Sequence, residues 1–91
     1  MKQVGISFDH WFEVDKRPVP HDDTSIYYVI EDEDGHLFPY VYKDTGKTAV
    51  SFCYRPIRFW MFAERTPELP KGKYIKRDKE NHFRKIGTFE I

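Results

Sequence analysis

Few residues of this chain could act as nucleophiles, and they are widely separated. Cys53 is the only cysteine, and it lies between two aromatic residues in a pattern typical of a strand. A nucleophile needs a base and an orienting group beside it, whereas a cysteine in such a run usually packs as a small apolar side chain. Ser7, Ser25 and Ser51 do not lie in a Gly-x-Ser-x-Gly turn. The sequence therefore predicts a structural thiol and no nucleophilic enzyme.

Potential metal ligands are scattered along the chain. Histidines stand at positions 10, 21, 36 and 82, without His-x-His or His-x-x-x-His spacing. A metal-dependent hydrolase could be built only if residues 9–10 (Asp-His) met residues 21–23 (His-Asp-Asp) in space. Because ligand sets normally show close spacing, we predict instead that these are polar surface residues. We expect no metal and no cofactor.

Two further binding motifs fail on spacing. The acidic run at residues 31–35 (EDEDG) resembles part of a calcium loop, but the first and twelfth ligands would then be Ile30 and Val41. We interpret the run as an exposed hairpin turn. The five glycines are isolated, whereas a phosphate-binding loop needs clustered glycines before a helix. A nucleotide site is therefore not predicted.

Aromatic residues are unusually dense, with eight Phe, six Tyr and two Trp in 91 residues. This exceeds what a core of this size needs, and Trp, Tyr and Arg are the usual energetic centres of protein interfaces. The run at residues 54–62 predicts a partner-binding surface made of Tyr54, Arg55, Arg58, Trp60 and Phe62. The alternative for Trp60 is a place in the core, and its exposure decides between the two.

Charge is distributed unevenly along the chain, although the net charge is zero. Residues 1–44 hold four basic and ten acidic residues, whereas residues 45–91 hold eleven basic and five acidic residues. The first half predicts an acidic surface that could meet a basic protein. Its members are Asp22, Asp23, Glu31, Asp32, Glu33 and Asp34. The second half predicts a basic surface, consisting of Lys71, Lys73, Lys76, Arg77 and Lys79.

This basic surface supports a second hypothesis, a small barrel that binds single-stranded nucleic acid. Residues 54–60 interleave aromatic with basic side chains, as in grooves where bases stack beside a charged backbone. A strand with one solvated face shows the same alternation. The zero net charge gives this hypothesis no further support.

The elements that must position these residues are mostly short strands. Period-2 alternation or β-branched and aromatic content predicts strands at residues 4–14, 25–30, 37–42, 48–54, 74–77 and 82–89. Residues 57–64 fit a strand or a short helix, and we favour the strand. Loops are predicted at 15–23 and 66–72, and turns at 32–35, 43–47 and 78–81, with Pro39 indicating an edge. Together they predict one mainly β domain over residues 1–91, an antiparallel meander forming a partly open barrel or sandwich of six or seven strands with at most one short helix.

The order of motifs resembles a small family of phage- and prophage-encoded domains of unknown function. Its opening corresponds to residues 11–18 (WFEVDKRP), and its strand and turn correspond to residues 28–35 (YVIEDEDG). Its close corresponds to residues 59–61 (FWM) with Pro67 and Pro70. Phe59 stands where the family usually has His, and Pro does not follow Met61 directly. The resemblance implies a phage setting and a binder that inhibits or modulates host defence or nucleic-acid machinery.

The function expected from these observations is a non-enzymatic protein-binding module. The lone cysteine and the absence of a long apolar segment predict the cytoplasm and no membrane partner. Edge strands and surplus aromatics also permit a homodimer.

Overall fold

The computed structural model describes residues 11–64 and 67–91, and these ranges contain six strands and one helix. The elements are β1 (Phe12–Glu13), β2 (Ser25–Ile30), β3 (Tyr42–Thr45), α1 (Gly46–Phe52), β4 (Ile57–Phe62), β5 (Lys73–Arg77) and β6 (Lys85–Glu90). The strand predicted at residues 4–14 is described only from residue 11. The predictions for Ser7, Asp9 and His10, and for the start of the 66–72 loop, lie outside the described residues.

The strands form two antiparallel sheets that do not close into a barrel. The first has the order β1-β4-β2-β3, and the second is the β5–β6 hairpin. Leu37 links them, because it bridges Glu31 on one side and Tyr74 on the other. The mainly β, antiparallel, partly open fold is confirmed. The order within the first sheet departs from a simple meander, since β4 lies beside β2 rather than β3.

The central strand β2 follows from its β-branched and aromatic content, and β4 follows from its alternating sequence. Their register places Ile26 opposite Phe62 and Tyr28 opposite Trp60, with a shift between Val29 and Ile30. β4 also pairs with β1 on its other edge. The strand interpretation of the ambiguous 57–64 run is therefore confirmed for Ile57–Phe62.

The predicted strand at residues 48–54 is wrong, because the chain forms helix α1 there. The Thr45 side chain accepts a hydrogen bond from the Thr48 amide and caps the first turn. Ala49 is buried against the cluster that contains Val19 and Trp60. Capping and packing thus override the β-propensity of residues 48–52, which is a weak preference that depends on context.

Residues 37–47 also differ from the prediction of a strand followed by a turn. Leu37 forms only isolated bridges, and the regular strand begins at Tyr42. Pro39 has no amide hydrogen to donate to a ladder, which is consistent with this interruption. Residues 43–47, predicted as a turn, are instead the end of β3 and the start of α1.

The core consists of three clusters on the two faces of the first sheet. Ile26 and Trp60 pack with Val19 and Ala49 beneath α1. The second cluster contains Val29, Leu37 and Tyr74, and the third contains Ile30, Phe38 and Ile75. β5 contributes Tyr74 to the second cluster and Ile75 to the third. Because consecutive residues of a strand point to opposite faces, both faces of β5 pack against the rest of the core.

Candidate protein-binding surface

Trp60 lies in the core and not on an exposed contact surface. Its side chain is 1% exposed, and its indole nitrogen donates a hydrogen bond of 2.8 Å to the Arg17 carbonyl oxygen. The Phe12 ring lies 4.8 Å from it between ring centroids. Including Trp60 in the partner-binding set was therefore wrong. β4 is the inner strand between β1 and β2, so both of its edges are paired, and Val19, Ile26 and Ala49 pack against the Trp60 side chain.

Phe62 belongs largely to the same aromatic cluster. It is partly buried and meets Trp60 edge-to-face, with 5.1 Å between the ring centroids. The Arg17 guanidinium lies 4.4 Å from the Phe12 ring centroid and 5.6 Å from those of Trp60 and Phe62. A cation over aromatic faces is attracted by their negative electrostatic potential. Phe62 thus helps to close the core beneath Arg17.

The two arginines of the predicted surface hold the acidic turn of the same chain. Arg58 Nη1 lies 3.1 Å from Glu31 Oε2. Arg55 Nε donates a hydrogen bond of 3.0 Å to the Glu31 carbonyl oxygen, and its Nη1 lies 3.9 Å from Glu33 Oε2. Part of the sign split between the two halves of the chain is therefore neutralised within the molecule.

Lys85 completes this neutralisation from the far end of the chain. Its Nζ lies 2.8 Å from Asp32 Oδ2, 3.4 Å from Asp34 Oδ2 and 3.2 Å from His36 Nδ1. Burial alone would raise the pKa of the Asp32 carboxyl, but hydrogen bonds from Lys85 and from the amides of His36 and Asp34 hold that pKa below its ordinary value. The hydrogen bond to Asp32 correspondingly raises the pKa of Lys85.

The ligand atoms of Asp32, Asp34 and His36 lie within 4.8 Å of one another, the one such group among the described residues. The Lys85 ammonium already lies at the point where these lone pairs converge, so we assign no metal there. His21, Asp22 and Asp23 are exposed and do not join this group. The sequence analysis did not predict this cluster, although the spacing Asp-x-Asp-x-His at residues 32–36 is a signal from which it could have been found.

Asp22 and Asp23 are the members of the predicted acidic surface that remain exposed without a basic partner among the described ion pairs. Hydrogen bonds from Thr24 lower the pKa of the Asp22 carboxyl. The acidic residues consequently do not form one continuous anionic face, because the 31–34 turn is bound by Arg55, Arg58 and Lys85.

The exposed apolar surface of this region lies around the end of α1. Phe52 is 81% exposed and Tyr54 is 74% exposed, and Val50 is also exposed. Sequence reasoning identified Tyr54 but missed Phe52 and Val50, because it predicted a strand where these two residues belong to helix α1.

Val50 and Tyr54 line an open groove of about 490 Å³. We call it the 50–57 groove. Its lining is Val14, Pro18, Val19, His21, Val50, Cys53, Tyr54, Arg55, Pro56 and Ile57. A second recess of about 100 Å³ lies on the other side of residues 52–54, against Tyr28 and Tyr42. Exposed aromatic side chains between two recesses can serve as anchors for an apolar partner.

Cys53 lines this groove as a structural group. Its thiol donates a hydrogen bond of 3.0 Å to the Arg55 carbonyl oxygen, and its side chain packs against the cluster of Ile30, Phe38 and Ile75. This arrangement holds the irregular segment between α1 and β4.

The predicted basic surface is divided between the two faces of β5. Successive residues of a strand point to opposite faces, so Lys73 and Arg77 share one face and Lys76 lies on the other. The Arg77 guanidinium lies 5.0 Å from the Phe38 ring centroid and donates to the His82 carbonyl oxygen at 2.6 Å. Lys71 and Lys79 are exposed at the two ends. Arg58 and Phe59 of the aromatic-basic run line a groove of about 300 Å³ together with Lys71 and Lys73. Lys76 lies on the opposite face of β5 from Lys73 and is not part of that groove.

Comparison with known proteins identifies no relative, since no protein-family model, curated protein or solved structure matches the chain. Within residues 11–64 and 67–91, no helix has both the length and the apolar character needed to cross a membrane.

Proposed function

We propose that the protein is a non-enzymatic protein-binding module that contacts its partner through the 50–57 groove and the aromatic side chains at its rim. The observation that carries the proposal is the pair Phe52 and Tyr54, which are 81% and 74% exposed. Tyr54 lines the groove of about 490 Å³, and both side chains line the recess of about 100 Å³ next to it. Leaving two large aromatic side chains in water forgoes roughly 25 cal/mol for each Å² of apolar surface that a partner could bury.

The composition of the groove indicates the chemistry of the partner. Its wall is mostly apolar, with His21, Tyr54 and Arg55 as polar groups at the margin. An apolar segment of a protein that offers one or two large side chains fits such a site, because hot-spot residues insert into complementary pockets. The structural hydrogen bond of the Cys53 thiol supports a binding role over a nucleophilic one.

The setting is proposed from the resemblance to phage- and prophage-encoded domains. The partner would be a host protein in a defence or nucleic-acid-processing complex, and binding would inhibit or modulate that complex in the host cytoplasm. This step depends on genome context rather than on site chemistry.

The test is affinity capture from a host lysate with three versions of the chain: wild type, the double variant Phe52→Ser/Tyr54→Ser, and Phe83→Ser. All three should unfold at similar temperatures, because the substituted side chains are largely exposed. We expect wild type and Phe83→Ser to retain the same partner. The double variant should lose at least tenfold of the affinity measured with that partner once it is purified.

Phe83 is the matched control because it is an equally apolar, 94% exposed side chain on a different element. Unchanged partner affinity in the double variant would contradict the proposal. So would a loss of affinity in Phe83→Ser as large as the loss in the double variant. Failure of wild type to retain any partner at saturating lysate concentration would also count against it.

A further inference from the structure

Positive charge is concentrated on the β5–β6 hairpin and its flanks. Residues 71–91 hold seven basic and three acidic residues, a net charge of +4, and residues 1–70 consequently carry −4. Lys85 is the one hairpin cation in the ion pairs formed among residues 11–64 and 67–91. The side chains outside those pairs are Lys71, Lys73, Lys76, Arg77, Lys79 and Arg84. The hairpin therefore presents a cationic surface on a molecule that is otherwise acidic.

One face of the hairpin combines an aromatic ring with a lysine and open space. Tyr74 is paired with Phe89, and Lys76 is paired with Gly87, so all four lie on the same face. The Phe89 ring stacks on buried Tyr74, with 5.6 Å between the ring centroids, and remains 39% exposed. A Cβ added at Gly87 would meet no atom within 4 Å. The Phe89 ring is thus held on one side by Tyr74, while its other side is open to solvent. The space beside it, at Gly87, is unfilled, and the exposed Lys76 lies opposite Gly87 on the paired strand.

The loop that joins the two strands displays a second aromatic ring. Phe83 is 94% exposed. The loop around it is held by hydrogen bonds from the Phe83 amide to Asn81 Oδ1 at 3.1 Å and from the Arg84 amide to the Asn81 carbonyl oxygen at 2.9 Å. Asp78 closes the loop by donating its amide to the Arg84 carbonyl oxygen. The exposed ring is therefore carried by an ordered turn.

We infer that the β5–β6 hairpin binds single-stranded nucleic acid, with Phe89 and Phe83 stacking on bases and Lys76 contacting phosphates. Stacking on aromatic rings beside a cationic track is how proteins bind single strands without reading their sequence. A duplex hides its bases in the stack, so the exposed rings favour single strands. This surface shares no residue with the 50–57 groove, and the inference does not depend on the proposed protein-binding role.

The test is fluorescence anisotropy of the full chain with a labelled oligothymidine about 12 nucleotides long, a length within the range that single small domains cover. We expect micromolar affinity at low salt that falls linearly with the logarithm of salt concentration. Lys76→Glu should weaken binding at least fivefold, and Phe83→Ala at least threefold. Both side chains are exposed, so neither variant should disturb folding.

Lys47→Glu is the matched control, because it makes the same charge change at an exposed lysine on α1. It should alter the affinity by less than twofold, and so should Phe52→Ser/Tyr54→Ser. Absence of binding at low salt, equal weakening by Lys47→Glu, or equal affinity for a duplex of the same length would each overturn the inference. Displacement of the oligonucleotide by polyglutamate at equal charge concentration would assign the hairpin to acidic proteins instead, which also overturns it.

Discussion

Asp32 is the residue that joins distant parts of the chain. Its Oδ1 accepts the amides of Asp34 and His36, both at 2.9 Å, and its Oδ2 accepts the Lys85 ammonium at 2.8 Å. One carboxylate therefore shapes the turn after β2 and ties it to β6. The side chain is almost fully buried, so its charge depends on these partners.

Replacing Asp32 with Asn tests this role. The variant keeps an oxygen acceptor but loses the charge that binds Lys85, so we expect it to lower the free energy of unfolding at pH 7 by about 1–2 kcal/mol. Because the pKa of folded Asp32 lies below the ordinary value of 3.8, its contribution is present above that pH and is lost as the pH falls below it. The difference between wild type and variant should therefore shrink below about pH 4.

Urea unfolding followed by circular dichroism between pH 3 and pH 7 measures this difference. Asp23→Asn removes an exposed carboxylate outside the described ion pairs and should change the free energy of unfolding by less than about 0.5 kcal/mol. A difference between wild type and Asp32→Asn that stays constant down to pH 3 would contradict the assigned role of the carboxylate.

Helix α1 is the element whose position depends most on close contact. It begins at Gly46, which is buried, and a Cβ at this position would overlap the Pro20 carbonyl oxygen. The contact fixes the helix against the loop before β2. Residues 50–54 form the end of α1 and the segment after it, so their position depends on where the helix begins. The contact between Gly46 and Pro20 therefore also determines where the rim of the 50–57 groove lies.

Gly46→Ala should consequently destabilise the protein by about 1–3 kcal/mol, the usual cost of forcing extra atoms into a packed site. Gly87→Ala is the natural comparison, because its Cβ would enter open space and should change stability by less than about 0.5 kcal/mol. Thermal unfolding of both variants is sufficient. Equal melting temperatures for the two would show that Pro20 does not constrain the start of α1.

At the scale of the whole molecule, stability depends on a few large side chains shared between elements. Trp60 joins β4 to β1 through Phe12 and to the 15–20 loop through the Arg17 carbonyl oxygen. A domain of 91 residues has a total stability of only about 5–15 kcal/mol. Loss of one central side chain is therefore a large fraction of that total.

Trp60→Ala should lower the free energy of unfolding by about 3–5 kcal/mol, because it leaves a cavity and an unsatisfied carbonyl oxygen. The exposed Phe83→Ala should change it by less than about 0.5 kcal/mol. Acrylamide quenching gives a second measurement, since the remaining tryptophan in Trp60→Phe is the more exposed Trp11. In folded Trp11→Phe, the only tryptophan is Trp60, and acrylamide should quench it weakly. If acrylamide quenched Trp60 in this variant as strongly as it quenches Trp11 in Trp60→Phe, the burial of Trp60 would be contradicted.

Local pattern was sufficient for β2, β4 and the β5–β6 hairpin and for part of the surface. Ser25–Ile30, Ile57–Phe62 and the β5–β6 hairpin follow from alternation and turn residues, because side chains of a strand point to opposite faces whatever lies elsewhere in the chain. The exposure of Tyr54 was also predicted. These features depend on residues within about one element of each other.

Features that depend on long-range contact were decided by the tertiary structure. Residues 46–52 are a helix because Ala49 and Gly46 pack against distant residues, although the local pattern predicts a turn up to residue 47 and a strand from residue 48. Trp60 is buried because Val19, Ala49 and Phe12 from other parts of the chain pack against it, which alternation within one strand cannot reveal. Lys85 meets Asp32 across 53 positions, so the sequence by itself established the two opposite charges and only the fold determined that they neutralise each other.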